Sequence, residues 1–315
     1  MKDILRSVDH AVLNFTKPNI FLIPLFVVVL LIMISVYDIY IQQVLLNNQI
    51  LPIPITTKVN SYPLLKNTNP PEISAKAAII MDKDSSVVLF SKNPNLRFSP
   101  ASTTKIMTAL TALEYFDLTD ILTVKSTGIE GSVIGLSEGE RMTFGDLLYA
   151  MLLPSANDAA FVIAQNFPGG EKAFIDKMNE NTRRLHLYNM HFEDPAGLLD
   201  YEDYASPIDL ARLASISLDN KTLSQIVATK RKIISDIDGV NIYDISNLNK
   251  LLGAYGVNGV KTGFTDEAGG VLITSKVEKD HTLIIVVLRS DDRFSDTLRL
   301  IDFISGNINY LTIRP

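Results

Sequence analysis

Cysteine is absent from all 315 residues. That excludes disulfides, thiolate zinc sites and a cysteine nucleophile, and it is compatible with an oxidising compartment. Basic excess is absent too: 29 Lys and Arg against 35 Asp and Glu leave a net charge of −6, without the positive footprint that a nucleic-acid partner requires. Histidine is scarce, with four in the chain, and no pair has the H-x-x-x-H spacing of a metal site. His10 lies far upstream, His186 and His191 flank a loop, and His281 falls at a predicted turn. No metal, no cofactor and no nucleic acid are therefore expected. Internal repeats and low-complexity tracts are also lacking. What is present is 47% hydrophobic and 20% charged sequence, ample for one large domain or two small ones with a real core.

The N-terminus carries a long uncharged run, Ile20 to Tyr37, followed after Asp38 by further apolar chain to Leu46. Roughly 20 apolar residues span a bilayer. The run is longer than a signal-peptide core, and no A-x-A-like cleavage site follows. Lys2, Arg6 and Lys17 precede it, whereas no Lys or Arg follows until Lys58. The expectation is a cytoplasmic N-terminus (1–19), a single-pass signal anchor (20–46) in the cell membrane with the lipid bilayer as partner, and export of everything after it. Residues 47–72, with Pro52, Pro54, Pro63, Pro70 and Pro71, read as an extracytoplasmic linker. Residues 73–315 read as the globular domain.

Within that domain, two apolar runs around Asp82 to Ser86 predict a β-hairpin. Ser99 and Pro100 predict a helix start ahead of the Ile106, Leu110, Leu113 stripe. Thr143 and Asp146 resemble a capping box, and Pro154 ends the helix that follows. Helices are predicted over 171–184, over 208–218 behind the Ser206-Pro207 cap, and over 293–304. "GVLITSKVE" and "HTLIIVVLRS" predict a second strand pair. Strands at both ends with helices between them imply an antiparallel sheet closed by distant segments and covered by helices.

Three short motifs carry the chemistry. In "SPASTTKIMTAL", Ser102 and Lys105 are spaced i, i+3, on one helix face. A serine hydroxyl is a weak nucleophile until a base takes its proton. Lys105 can be that base only when neutral, which requires desolvation or a second cation nearby. "PSAND" places the Ser155 hydroxyl and the Asn157 carboxamide at i, i+2 beside a proline break. "VKTGFT" places Lys261, Thr262 and Gly263 at the end of an apolar strand; the glycine admits a close backbone approach, and the lysine is the expected second cation. Each motif alone has an ordinary reading as a cap or a turn. The order S-x-x-K, S-x-N, K-T-G is shared by penicillin-binding proteins and class A β-lactamases.

From about Ala77 to Ile304 the chain resembles the low-molecular-mass penicillin-binding proteins of the D-alanyl-D-alanine carboxypeptidase family, the S11 serine peptidases. "LSEGERMTFGDLLYAMLLPSANDAA", "FEDPAGL", "YASPIDLARLA" and "VNGVKTGFTDEAG" carry the likeness between the motifs. The resemblance implies an α+β fold: a β-lactamase/DD-peptidase-like five-stranded antiparallel sheet flanked by helices, with an all-helical lobe, here preceded by one N-terminal transmembrane helix. It implies Ser102 as acylated nucleophile, Lys105 as general base, Ser155 as proton relay, Asn157 as partner of Lys105 and of substrate backbone, and Lys261 as the electropositive group. It implies Thr262 as the carboxylate-binding hydroxyl, the Ser102 and Phe264 N–H groups as oxyanion hole, Gly263 as the point of close approach, and Arg293 near the carboxylate subsite. The implied substrate is a peptidoglycan stem peptide ending in D-Ala-D-Ala, and the implied inhibitors are β-lactam antibiotics.

Departures and competitors remain. Asp203-Tyr204 stands where relatives often carry His-Tyr, and Pro207 where they carry Thr. "GLSEG" satisfies G-x-S-x-G with Ser137, but polar residues 126–131 precede it and no helix follows directly, as that elbow requires. A D,D-endopeptidase that cuts cross-links would use the same motifs. A β-lactamase would need the class A E-x-x-L-N pattern, which is missing. A non-catalytic peptidoglycan-binding relic would have lost a motif residue.

Overall fold

The computed structural model describes residues 30, 31, 33–37, 61–199 and 201–312. The chain divides into two units, Met1–Thr56 and Thr57–Pro315. The expected transmembrane helix is corrected: among the described residues no helix is long and apolar enough to cross a membrane. Residues 30, 31 and 33–37 are helical. The rest of 20–46, like His10, lies outside the described residues. The bilayer expected as a partner through that helix loses its support with it.

The second unit runs β1 (Ser61–Leu65), β2 (Ala77–Asp82), β3 (Val88–Lys92), a 3₁₀ turn (Ala101–Thr104), α1 (Lys105–Ala112), β4 (Ile121–Thr123), β5 (Arg141–Thr143), α2 (Phe144–Leu152), α3 (Asn157–Asn166) and α4 (Gly170–Arg184). It continues with β6 (Met190–His191), β7 (Tyr204–Ala205), α5 (Pro207–Asp219), α6 (Lys221–Val227), β8 (Arg231–Ser235), β9 (Ile242–Ser246), β10 (Val257–Thr265), β11 (Gly269–Glu278), β12 (His281–Ser290), α7 (Arg293–Ile304) and β13 (Ile308–Thr312).

The main sheet has five strands in the order β10-β11-β12-β2-β3, each pair antiparallel. Distant segments close it: Ile79 of β2 lies opposite Val286 of β12, and Ile80 opposite Ile285. Both faces are covered, which is why these strands read as unbroken apolar runs rather than alternating ones. Side chains alternate between faces. Ala77, Ile79, Met81, Ile284 and Val286 join the helical side of the core with Met107, Leu147 and Leu213. Ala78, Ile80, Ile285 and Val287 pack instead with Leu300, Ile301 and Ile304 of α7. Burying each such aliphatic side chain contributes about 1.5–3 kcal/mol.

Local signals explain the helix ends. Thr143 caps α2, its hydroxyl oxygen accepting from Asp146 N at 3.0 Å, and Ser206 caps α5 by accepting from Asp209 N at 3.3 Å. Residues 61–65 fall in the stretch expected as linker, yet form β1 and pair with β13. Pro63 is tolerated there because the two-stranded ribbon leaves one side of β1 free of ladder bonds.

Candidate active site

The helix expected to begin at Ser99-Pro100 begins instead at Lys105, behind a 3₁₀ turn capped by Pro100. The difference matters for geometry. In a 3₁₀ turn, residues i and i+3 eclipse one another, so Lys105 stands over Ser102, with Nζ 2.9 Å from Oγ. Ala101, just before the nucleophile, has φ +45°, a left-handed conformation that costs a non-glycine residue about 1–2 kcal/mol. Gly197 packs on this turn; a Cβ there would lie 2.0 Å from Ala101 O, so only glycine fits.

Lys105 is wholly buried. Its Nζ donates to Asn157 Oδ1 at 2.8 Å and to Ala196 O at 2.7 Å. Both partners can only accept. A neutral amine has two N–H bonds and one lone pair, so these acceptors take both hydrogens and leave the lone pair facing Ser102 Oγ. Burial lowers the Lys105 pKa to about 7, while the Asp194 and Asp158 carboxylates push it the other way. Desolvation of the ammonium, rather than a neighbouring cation, is thus the main cause.

Ser155 and Asn157 come from the break between α2 and α3. Leu153 closes α2, and Ser155 takes φ +67°. Its Oγ is buried and has no hydrogen-bond partner among the described residues. Asn157 opens α3; its Nδ2 donates to Glu130 O at 2.7 Å, which orients Oδ1 toward Lys105. Asn157 N also donates to Ser132 O at 2.6 Å.

The third motif lies on β10, one of the two edge strands of the main sheet. A Cβ on Gly263 would sit 3.1 Å from Ala101 Cβ and 3.1 Å from Ser102 N, so the glycine lets β10 close on the nucleophile turn. Lys261 is buried, and its Nζ donates to Thr262 O at 2.9 Å. Its pKa is held well below the ordinary lysine value by burial first, then by the charges of Lys105 and Arg293. Arg293, the first residue of α7, lies 5.0 Å from the Phe294 ring and 5.8 Å from the exposed Phe264 ring. Its Nε is buried without a partner among the described residues. The Arg293 guanidinium, with an unpartnered donor, and the Thr262 hydroxyl are groups of a kind suited to an anion.

Known proteins resemble most of this chain. Residues 65–292 match the family model described as D-alanyl-D-alanine carboxypeptidase. The chain belongs to the S11 family of D-alanyl-D-alanine carboxypeptidases. The D-alanyl-D-alanine carboxypeptidase DacF of Bacillus subtilis is 32% identical over 76% of this chain and 64% of its own length. The D-alanyl-D-alanine endopeptidase of Pseudomonas aeruginosa is 30% identical over 79% of this chain and 84% of its own. The crystal structure of the Streptomyces K15 DD-transpeptidase superposes with a TM-score of 0.71 at 31% identity, covering 76% of this chain and 99% of that one. The five-stranded sheet and helices are thus a DD-peptidase fold.

Several residues in this family member's site had no role in the sequence reading. Asp194, within the "FEDPAGL" stretch, accepts from the N–H groups of Ala196 and Gly197 at 2.6 Å each, Leu198 at 2.7 Å and Leu199 at 2.9 Å. That turn presents Ala196 O to Lys105. Asp158, directly after the S-x-N motif, accepts from Gly135 N at 2.9 Å and Leu136 N at 3.1 Å, pinning the loop whose Glu130 carbonyl orients Asn157. Spacing alone gives no sign of either, because a carboxylate serving backbone N–H groups looks like any surface Asp. Ser137, of the competing G-x-S-x-G match, is exposed in that loop, with no strand directly before it.

Proposed function

We propose that this chain is a serine-type D-Ala-D-Ala carboxypeptidase that works outside the cytoplasm, removing the terminal D-alanine from peptidoglycan stem pentapeptides through a Ser102 acyl-enzyme. The observation that carries the reading is the Lys105 amine: buried, with two obligate acceptors on its hydrogens and Ser102 Oγ at 2.9 Å. Neutral Lys105 accepts the Ser102 proton as Oγ bonds to the carbonyl carbon of the penultimate D-alanine. The developing oxyanion is held by the N–H groups of Ser102 and Phe264, each donor worth about 3 kcal/mol in such sites. The peptide C–N bond then breaks. Its nitrogen takes a proton from Lys105 through the Ser155 hydroxyl, and D-alanine leaves. Water attacks the ester and restores Ser102. Thr262, with Lys261 and Arg293 behind it, holds the terminal carboxylate, and Asn157 bonds the substrate backbone. Gly263 allows the peptide to lie along the β10 edge as an added strand.

The same site would acylate on a β-lactam. There the leaving amine stays tethered, and the class A pattern for activating a deacylating water is missing, so the adduct clears slowly. The test incubates the protein with a fluorescent penicillin, locates the adduct by mass spectrometry, and assays a stem pentapeptide for released D-alanine. An adduct on Ser102, lost together with D-alanine release in Ser102→Ala and kept in Ser137→Ala, is the expected result. A second substrate, a cross-linked peptide dimer, tests the endopeptidase alternative, an activity that appears in the name of the Pseudomonas aeruginosa relative. Faster cleavage of the dimer than of the pentapeptide would replace the carboxypeptidase assignment. Rapid multiple turnover of penicillin would point to a β-lactamase.

A further inference from the structure

A buried carboxyl group, Asp203, lies behind this site without a part in the chemistry above. Only 2% of it is exposed. Its Oδ1 accepts from Glu193 N at 2.6 Å. Its Oδ2 is buried without a partner among the described residues, and the Asp194 carboxylate, next in the chain to the Glu193 whose N–H the other oxygen takes, acts on it electrostatically. Both Asp194 oxygens are already occupied as acceptors by four backbone N–H groups. Two buried carboxyls that act on one another cannot both ionise at low cost, and a proton on Asp203 Oδ2 would satisfy the orphaned oxygen.

We propose that Asp203 is a positioning residue, a neutral carboxylic acid whose O–H donates to Asp194 and so locks the turn that presents Ala196 O to Lys105. The inference rests on the acylation chemistry proposed above. Burial, followed by the Asp194 charge, raises the Asp203 pKa to about 8. The other ionisable groups around it leave this in place. Glu193 adds negative charge and is engaged by His191. Glu171 of α4 also faces Asp194. Lys105 feels the Asp194 carboxylate, and Arg97 stacks on the neighbouring Tyr204 ring. Once Asp203 ionises, a second negative charge stands beside Asp194. It repels Asp194, loosens the turn, and favours the protonated, inactive form of Lys105. Acylation then falls on the alkaline side, in the range where Lys105 by itself would keep the rate at its plateau.

The test uses the full chain and three species: parent, Asp203→Asn and Asp203→Ala. The amide of Asp203→Asn keeps an acceptor for Glu193 N and a donor for Asp194 but cannot ionise. Its penicillin acylation rate should stay within about threefold of the parent below the Asp203 pKa, and the alkaline fall should vanish. Asp203→Ala, lacking the donor, should acylate roughly tenfold more slowly or worse, the effect of losing one buried hydrogen bond to a charged group. A carbon-13 NMR titration of labelled aspartate carboxyls should show one group in the parent titrating far above the ordinary range and missing in Asp203→Asn. The proposal is overturned by an unchanged alkaline limb in Asp203→Asn, by Asp203→Ala behaving as Asp203→Asn, or by no such carboxyl in the parent. The NMR titration needs no activity. A parent that fails to acylate therefore sinks the proposed function and the positioning role, while the protonation of Asp203 is still read directly.

Discussion

Acylation of Ser102 should depend on pH with an acidic limb set by Lys105, and the structure gives its size. A lysine at its ordinary pKa of 10.5 would be neutral in only about one molecule in 3,000 at pH 7, whereas a pKa of about 7 leaves about half of the molecules neutral. The roughly thousandfold gain in competent base is equivalent to about 4–5 kcal/mol of barrier. It comes from burying the amine, against the pull of Asp194 and Asp158. Below that pKa, acylation by penicillin should fall about tenfold for each pH unit, with the amine protonated and its lone pair gone. Lys105→Arg carries a charge that cannot be shed, so its acylation should drop by about a thousandfold or more at every pH. Rapid-quench mass spectrometry of the Ser102 adduct across a pH series measures both. A rate that stays flat through the Lys105 range, or Lys105→Arg labelling within tenfold of the parent, would refute the assignment of Lys105 as base.

Other consequences follow from the same geometry. Gly263→Ala places a methyl 3.1 Å from Ala101 Cβ and Ser102 N; β10 and the nucleophile turn should separate by a few tenths of an ångström, slowing acylation more than tenfold by misplacing the oxyanion donors, with little change in melting temperature. Gly197→Ala should instead destabilise the fold by about 3 kcal/mol or more, since its φ of +78° and the Ala101 carbonyl at 2.0 Å both oppose a side chain; calorimetry should show a Tm lower by about 6–12 °C. Asn157→Ala removes the acceptor from Lys105 and the donor to Glu130, so penicillin labelling should fall at least about a hundredfold while the folded baseline survives; near-parent labelling would contradict the network. For Lys105 the folded pKa, about 7, is below the unfolded 10.5, so the folded state binds fewer protons between those values. Its burial cost is then fully present below pH 7 and declines toward 10.5. Denaturant titrations of parent and Lys105→Met should show the stability difference shrinking through that window; a constant difference would mean that Lys105 is not desolvated.

Chain order and residue type were enough to mark the candidate groups. Ser102 and Lys105 at i, i+3, the Pro154 break ahead of Ser155, and Gly263 on an apolar strand could be read directly, because each depends on neighbours only a few residues away. The two hairpins and the helix caps at Thr143 and Ser206 were legible for the same reason. Tertiary structure decided what needs distant partners. That Lys105 is dry depends on Asn157, Ala196 and the helical core closing over it, and no local pattern reports burial. The 3₁₀ turn that stacks Ser102 under Lys105 replaces the simple helix start that Ser99-Pro100 suggested. β1 formed in a proline-bearing stretch because β13, more than 240 residues later, offers it a partner. The long apolar run near the N-terminus had the composition of a span, but apolar length measures only the free energy of leaving water. Asp194 and Asp203 show the limit most plainly: two ordinary acidic letters, nine positions apart, are taken out of water by a turn that no local pattern announces.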